Sequence, residues 1–205
     1  EAIIAKYDER AATSDAAKRR ELDIEINQLT AQQSALSKQG EFIQLVESIG
    51  GKNLNAGTSY DWTNYHNSFP KTQLEKWLDL YSVRLMNPVF RTFQTELETV
   101  YEEYNMYQDD RGNQLRNFVF ENAFSNSPYG RSIIGLGDHL KNPQISKLIE
   151  FYNSWYVPEN MALILVGDIK TEEVAGLINR KFGRLPAGNA PQSKVSRASA
   201  FKGRK

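Results

Sequence analysis

Through residues 1 to 49 the apolar positions recur at helical spacing. Ile3, Ile4 and Tyr7 form a short stripe, and Thr13-Ser14-Asp15 offers capping oxygens for a second helix. In that helix Leu22, Ile26, Leu29 and Leu36 follow at intervals of four, three and seven, which places them on one face. Phe42, Ile43, Leu45, Val46 and Ile49 line a third helix, stopped by Gly50-Gly51. The pattern then changes. Asn53–Tyr60 and Trp62–Phe69, rich in Thr, Tyr, Trp and Phe and separated by Asp61, read as a β-hairpin that Pro70 ends.

Helical spacing returns with Leu74, Trp77, Leu78, Tyr81 and Leu85, until Asn87-Pro88 forbids continuation. Helices are expected from about Phe93 to Tyr107 and from Asn113 to Phe124. A loop with Ser127-Pro-Tyr-Gly130 and Gly135-Leu-Gly137 follows, then a helix carrying Leu148, Ile149, Phe151, Tyr152 and Trp155. Met161–Val166 is a continuous apolar run, which predicts a strand buried on both faces. Thr171-Glu172-Glu173 starts a last helix, ending near Phe182-Gly183. Helices and strands without strict alternation imply an α+β fold, a layered antiparallel or mixed sheet packed by helices.

The chain has 205 residues, 40% of them hydrophobic and 24% charged, an ordinary globular balance. Lys+Arg and Asp+Glu are both 25, which argues against the basic footprint of a nucleic-acid binder. The absence of cysteine excludes disulfide scaffolds and thiol catalysis but does not fix the compartment. No apolar run reaches the length of a membrane span. Residues 189 to 205 carry five basic residues and no acid, leaving a net −5 on the remainder. They read as a basic linker or tail after a single domain spanning 1 to 188. Beginning at Glu1 without methionine, the chain is expected to be a piece of something longer.

Candidate chemistry is sparse. Glu96 and Glu103, seven apart, fall within about 20° of each other on one border of the stripe Leu97, Val100, Tyr101 and Tyr104. Glu98 and Glu102 lie toward the other border, and periodicity leaves open which border matters; such pairs usually form a solvated face. His66 and His139 stand alone, neither with a second histidine at ligand spacing. A phosphate loop, a nucleophile elbow and a dinucleotide fingerprint are all missing.

Four segments in register carry a resemblance. Ile49-Gly-Gly-Lys-Asn-Leu-Asn-Ala-Gly-Thr-Ser-Tyr-Asp-Trp-Thr-Asn-Tyr65, Phe93–Glu103, Ser127-Pro-Tyr-Gly130 with Ile134-Gly135, and Tyr156-Val-Pro-Glu-Asn-Met161 through Val166-Gly-Asp168 resemble the pitrilysin/insulinase family of zinc peptidases, over roughly residues 42 to 188. The resemblance implies that family's metallohydrolase fold and a zinc metalloendopeptidase acting on extended or unfolded peptides. Relatives carry an inverted His-x-x-Glu-His motif upstream, whose histidines bind the Zn2+ and whose glutamate polarises the zinc-bound water. By position Glu103 corresponds to the third protein ligand, and Glu96 to the accompanying catalytic-site glutamate, a supporting carboxylate. Asn55, Ala56, Gly57, Thr58 and Ser59 are similar to the family's substrate edge strand, where an extended peptide adds by main-chain bonds.

The His-x-x-Glu-His segment is not in this sequence, so the chain alone is expected to be inactive and to lack Zn2+. Residues 1 to 40 read as a helical insertion that many relatives lack. The implied partners are a peptide substrate and a second family domain, in the same chain or in a partner subunit. Two alternatives stand beside the enzyme: a noncatalytic, chamber-forming homologue, and a helical interaction module binding through the Leu22/Ile26/Leu29/Leu36 face.

Overall fold

The computed structural model describes residues 1 to 36, 38 and 40 to 192. Most of the expected basic tail, residues 193 to 205, lies outside the described residues. Two helices open the chain, α1 (Ala2–Ala12) and α2 (Ala16–Leu36). The expected capping oxygens are used: Asp15 Oδ1 accepts from the Ala17 and Lys18 amides at 2.8 and 3.3 Å. The α2 face, however, is not free for a partner. Leu22 and Ile26 are buried, and Ile26 joins Tyr7 of α1 and Ile145 in one apolar cluster. Leu36, the last residue of α2, is 89% exposed. A helical face already covered by its own chain cannot also serve as the expected interaction surface.

Helix α3 (Glu41–Ser48) ends as its glycines require, with Gly50 at φ 79° and the Gly51 amide donating to the Val46 carbonyl at 2.9 Å. The hairpin follows, β1 (Lys52–Thr58) antiparallel to β2 (Thr63–Ser68), paired Asn55 to His66, Ala56 to Tyr65, Gly57 to Asn64 and Thr58 to Thr63. Between Lys52 and Asn55 the register is broken, at Asn53 with φ 56°. Helix α4 (Leu74–Met86) lies under the hairpin. Its Trp77, Leu78 and Tyr81 form the main core with Val46, packed by Leu54, Phe69 and side chains of the last helix. Phe69, Trp77 and Tyr81 stack in succession at 4.8 and 4.3 Å.

Helices α5 (Phe93–Asp109) and α6 (Arg111–Ala123) are separated by Asp110 alone, whose carboxylate caps α6 by accepting from the Asn113 amide at 2.7 Å. Then come α7 (Gly137–Lys141), α8 (Ile145–Trp155) and α9 (Thr171–Phe182). On α9, Lys181 grips α4 through Asp79 (2.8 Å) and Glu75 (3.3 Å), and the hydrogen bond to Asp79 raises its pKa.

The fold thus combines helices with an antiparallel sheet, which among the described residues is a two-stranded hairpin. The strand expected at Met161–Val166 is corrected: the segment pairs with no strand among the described residues, and Ile164 and Val166 are 79% and 94% exposed. A strand buried on both faces needs neighbours at both edges and a layer on each side. Here one face alone is covered, where Leu163 and Leu165 border a cleft against Val174, Ala175 and Ile178 of α9. Alternate residues therefore point to solvent even though all are apolar.

Candidate functional site

Helix α5 bears the two expected carboxylates on its exposed side. Its Leu97, Val100, Tyr101 and Tyr104 are half-buried, as the spacing predicts, and Glu96, Glu98, Glu102 and Glu103 are all exposed. On the border facing away from Glu96 and Glu103, Glu98 has a side-chain partner and Glu102 has none among the described residues. Glu98 accepts a hydrogen bond from Gln94 Nε2 at 2.8 Å, whereas no hydrogen bond or ion pair to Glu96 or Glu103 is found among the described residues. Glu103 is therefore exposed to solvent.

A metal needs more than this. Among the described residues no three His, Cys, Asp or Glu side chains converge on a point that could hold an ion. His66 sits exposed on β2 and His139 exposed on α7. A carboxylate free of partners has the right donor chemistry for zinc, but one such donor does not make a site. The donor set present here fits a contributor of one ligand and not a complete centre.

Of the edge-strand residues, Asn55, Ala56 and Thr58 are exposed on β1. Gly57 faces Trp62, whose Cζ3 would lie 3.7 Å from an added Cβ. Ser59 is placed differently from expectation: β1 ends at Thr58, and the Ser59 amide donates to the Trp62 carbonyl at 2.8 Å, closing the turn. Asn55 Oδ1 accepts from the Ala56 amide at 2.8 Å. Because the sheet has two strands, the outer edge of β1 has no strand beside it among the described residues.

Three anchors fix the hairpin, and sequence reasoning missed all three. At its turn, Tyr60 stacks on Phe120 of α6 (6.3 Å, 10°) and tilts against Tyr129 (4.9 Å), whose hydroxyl donates to Asp61. That bond to a carboxylate raises the Tyr129 pKa. The turn is thereby tied to α6, which follows directly on α5. On β2, Asn67 Oδ1 accepts from Trp77 Nε1 and the Tyr81 hydroxyl at 2.9 and 2.8 Å. Further back the hydroxyls of Tyr65 and Tyr156 lie 2.7 Å apart, and burial is the chief reason the Tyr65 pKa rises well above its ordinary value. Tyr129 lies within a loop motif noted in the sequence. Asn67 gave no signal, because its donors sit ten and fourteen residues away on another element.

On a different flank, a cavity of about 510 Å³ is lined by Tyr104 and Gln108 of α5, Asn117 and Phe118 of α6, and Arg131 and Leu136 of the following loop. None of the expected site residues lines it.

Comparison with known proteins gives the chain its relatives. Two family models match it in succession, "Insulinase (Peptidase family M16)" over residues 26–137 and "Peptidase M16 inactive domain" over residues 144–205. The probable zinc protease PqqL of Escherichia coli is 34% identical over 164 residues, covering 75% of this chain. The zinc protease PqqE of Helicobacter pylori is 30% identical over 151 residues, covering 72%. The chain spans 17% and 34% of these two relatives. Among solved structures, the first half of the periplasmic protease PqqL from Escherichia coli matches with a TM-score of 0.68 at 29% identity, covering 78% of this chain and 36% of that one.

Proposed function

Since the chain belongs to the insulinase family, peptidase M16, we propose that it is part of a zinc-dependent metalloendopeptidase hydrolysing extended peptides. In that role Glu103 supplies the third protein ligand of Zn2+, Glu96 supports it, and the strand Asn55–Thr58 with Ser59 in its turn receives the substrate. The observation that supports the reading is that Glu96 and Glu103 share one border of α5 and stand exposed, with no side-chain partner among the described residues. Glu102 on the other border is equally exposed, and the family's motif rather than the bonding selects Glu103. The zinc, when bound, polarises the scissile carbonyl and lowers the pKa of its water. This chain's own residues do the remaining work. The free edge of β1 offers main-chain donors and acceptors to a peptide, a mode of holding that is indifferent to most side chains. The Tyr60–Phe120 stack and the Tyr129–Asp61 bond keep that edge in fixed relation to the helices bearing the acids.

The test uses the longer protein that contains this chain, together with a second family domain where one accompanies it. Glu103→Gln is expected to lose most bound zinc and most peptide hydrolysis, and Glu96→Gln to lose activity with a smaller loss of zinc, since outer carboxylates typically cost about 10- to 100-fold. Unchanged zinc content in Glu103→Gln removes that residue from the site.

A second reading, a noncatalytic chamber-forming homologue, is favoured by the description of the matched model as an inactive domain over residues 144–205. A longer protein that binds no zinc at all supports it.

A further inference from the structure

Helix α5 holds its direction with little packing of its own. None of its 17 residues is fully buried. Yet if Glu103 is to meet an ion, that direction matters. Glu103 lies ten residues, about 15 Å, from the start of α5, so a tilt of about 5° at Phe93 would carry it about 1.3 Å. Metal–ligand distances tolerate about 0.2 Å.

The helical pair at the N-terminus grips α5 at two levels. Tyr7 of α1 is buried; its ring meets Phe93 edge-on at 5.3 Å, and its hydroxyl donates to Gln94 Oε1. Gln94 Nε2 donates onward to Glu98 at 2.8 Å, so a hydrogen-bonded chain runs along the first two turns. One turn further along α1, Arg10 Nε pairs with Asp23 of α2, while Arg10 Nη1 donates to the Lys141 carbonyl at 3.1 Å and to Asn142 Oδ1 at 3.4 Å. Lys141 ends α7, and α7 packs against α5. A Cβ at Gly137 would sit 3.1 Å from the Tyr104 ring, and the Lys141 ammonium lies 6.0 Å from the Tyr101 ring. The pair is itself tied to α8 through the Asp8–Ser146 hydrogen bond of 2.8 Å and the Ile26–Ile145 contact. The grips fall at residues 93 to 98 and 101 to 104, on either side of Glu96 and flanking Glu103.

We propose that the α1–α2 pair is a brace that fixes the axis of α5, with Tyr7 and Arg10 as its positioning residues. Its chemical consequence, a carboxylate at Glu103 held in register for an ion, rests on the zinc-ligand reading above. Its geometric content stands without that reading. An insertion of helices that only enlarged the core would stabilise the whole chain evenly. The α1–α2 pair instead sends its outward polar contacts to three places, α5 through Tyr7, the end of α7 through Arg10 and α8 through Asp8.

Hydrogen–deuterium exchange on the 205-residue chain tests the geometry. Tyr7→Phe keeps the ring and deletes the donor to Gln94; Arg10→Gln keeps the aliphatic stem and deletes the grip on α7. Each is expected to speed amide exchange in residues 97 to 103 by roughly 2- to 10-fold, the effect of losing one hydrogen bond, with exchange in α4 and α9 unchanged. Equal acceleration everywhere, or none in α5, overturns the brace. In the longer protein, the double variant is expected to weaken zinc binding roughly 3- to 10-fold and to lower kcat with KM unaltered. Unchanged zinc affinity there, alongside zinc loss in Glu103→Gln, overturns the positioning role. Accelerated α5 exchange with zinc retained in Glu103→Gln supports the brace and rejects the zinc-ligand reading instead.

Discussion

Replacing Asn67 with alanine removes one oxygen and strands two donors. Trp77 Nε1 and the Tyr81 hydroxyl both point at Asn67 Oδ1, at 2.9 and 2.8 Å, and both side chains are 7% exposed. A buried donor left without its acceptor costs about 1–3 kcal/mol. Asn67 is itself only half-buried, so water can reach part of the gap, and the pair together should cost about 2–4 kcal/mol. With a urea slope of about 1–3 kcal/mol/M, the midpoint should fall by about 1 M or more at unchanged slope. Tryptophan fluorescence reports it once Trp62 and Trp155 are replaced by Phe in the reference chain, because the Trp77 ring sits between Phe69 and Tyr81. Tyr81→Phe removes one of the two donors and should cost about 1 kcal/mol. The double variant should then fall short of the sum by about 1 kcal/mol, since the stranded hydroxyl is gone. A loss under about 0.5 kcal/mol for Asn67→Ala, or strict additivity with Tyr81→Phe, refutes the shared-acceptor account of how β2 is fastened to α4.

Alkaline titration gives a second expectation. Burial pushes the Tyr7 phenol up to about 12, above its ordinary 10. The fold therefore favours the neutral form, and stability should decline as pH rises from about 10 to about 12, by at most about 2.7 kcal/mol. Tyr7→Phe should flatten that decline without abolishing it, because burial also raises Tyr65, Tyr81 and Tyr152; an identical slope in the variant would dismiss Tyr7 as a source. On the Met161–Val166 segment, Ile164→Lys with Val166→Lys should leave unfolding stability within about 0.5 kcal/mol and reduce light scattering of the concentrated chain, since both side chains are exposed apolar groups on an unpaired extended segment. A large stability loss would mean that this face is covered after all.

Much of the secondary structure was legible because it is local. The Asp15 cap, the Gly50 stop and the 3.6-residue stripe of α4 depend on neighbours a few positions away, and the structure places them where spacing does. The hairpin was legible for the same reason, down to its strand boundaries within a residue or two. Composition could say that Met161–Val166 is apolar enough to be buried; it could not say how many of its faces find a neighbour, because that depends on residues distant in sequence. The same limit governs the site. Helical periodicity puts Glu96 and Glu103 on one border of α5, and the Gln94–Glu98 bond is itself local, four residues apart on the same helix. What spacing does not give is whether another element covers those acids, and the structure leaves them exposed. Nor does any pattern in residues 1 to 36 announce that Tyr7 will meet Phe93 and Gln94 some 87 positions later. Spacing along the chain decides which side of a helix a residue takes. What stands on that side is decided by packing, in which partners are chosen by shape and by the need to satisfy every buried polar group.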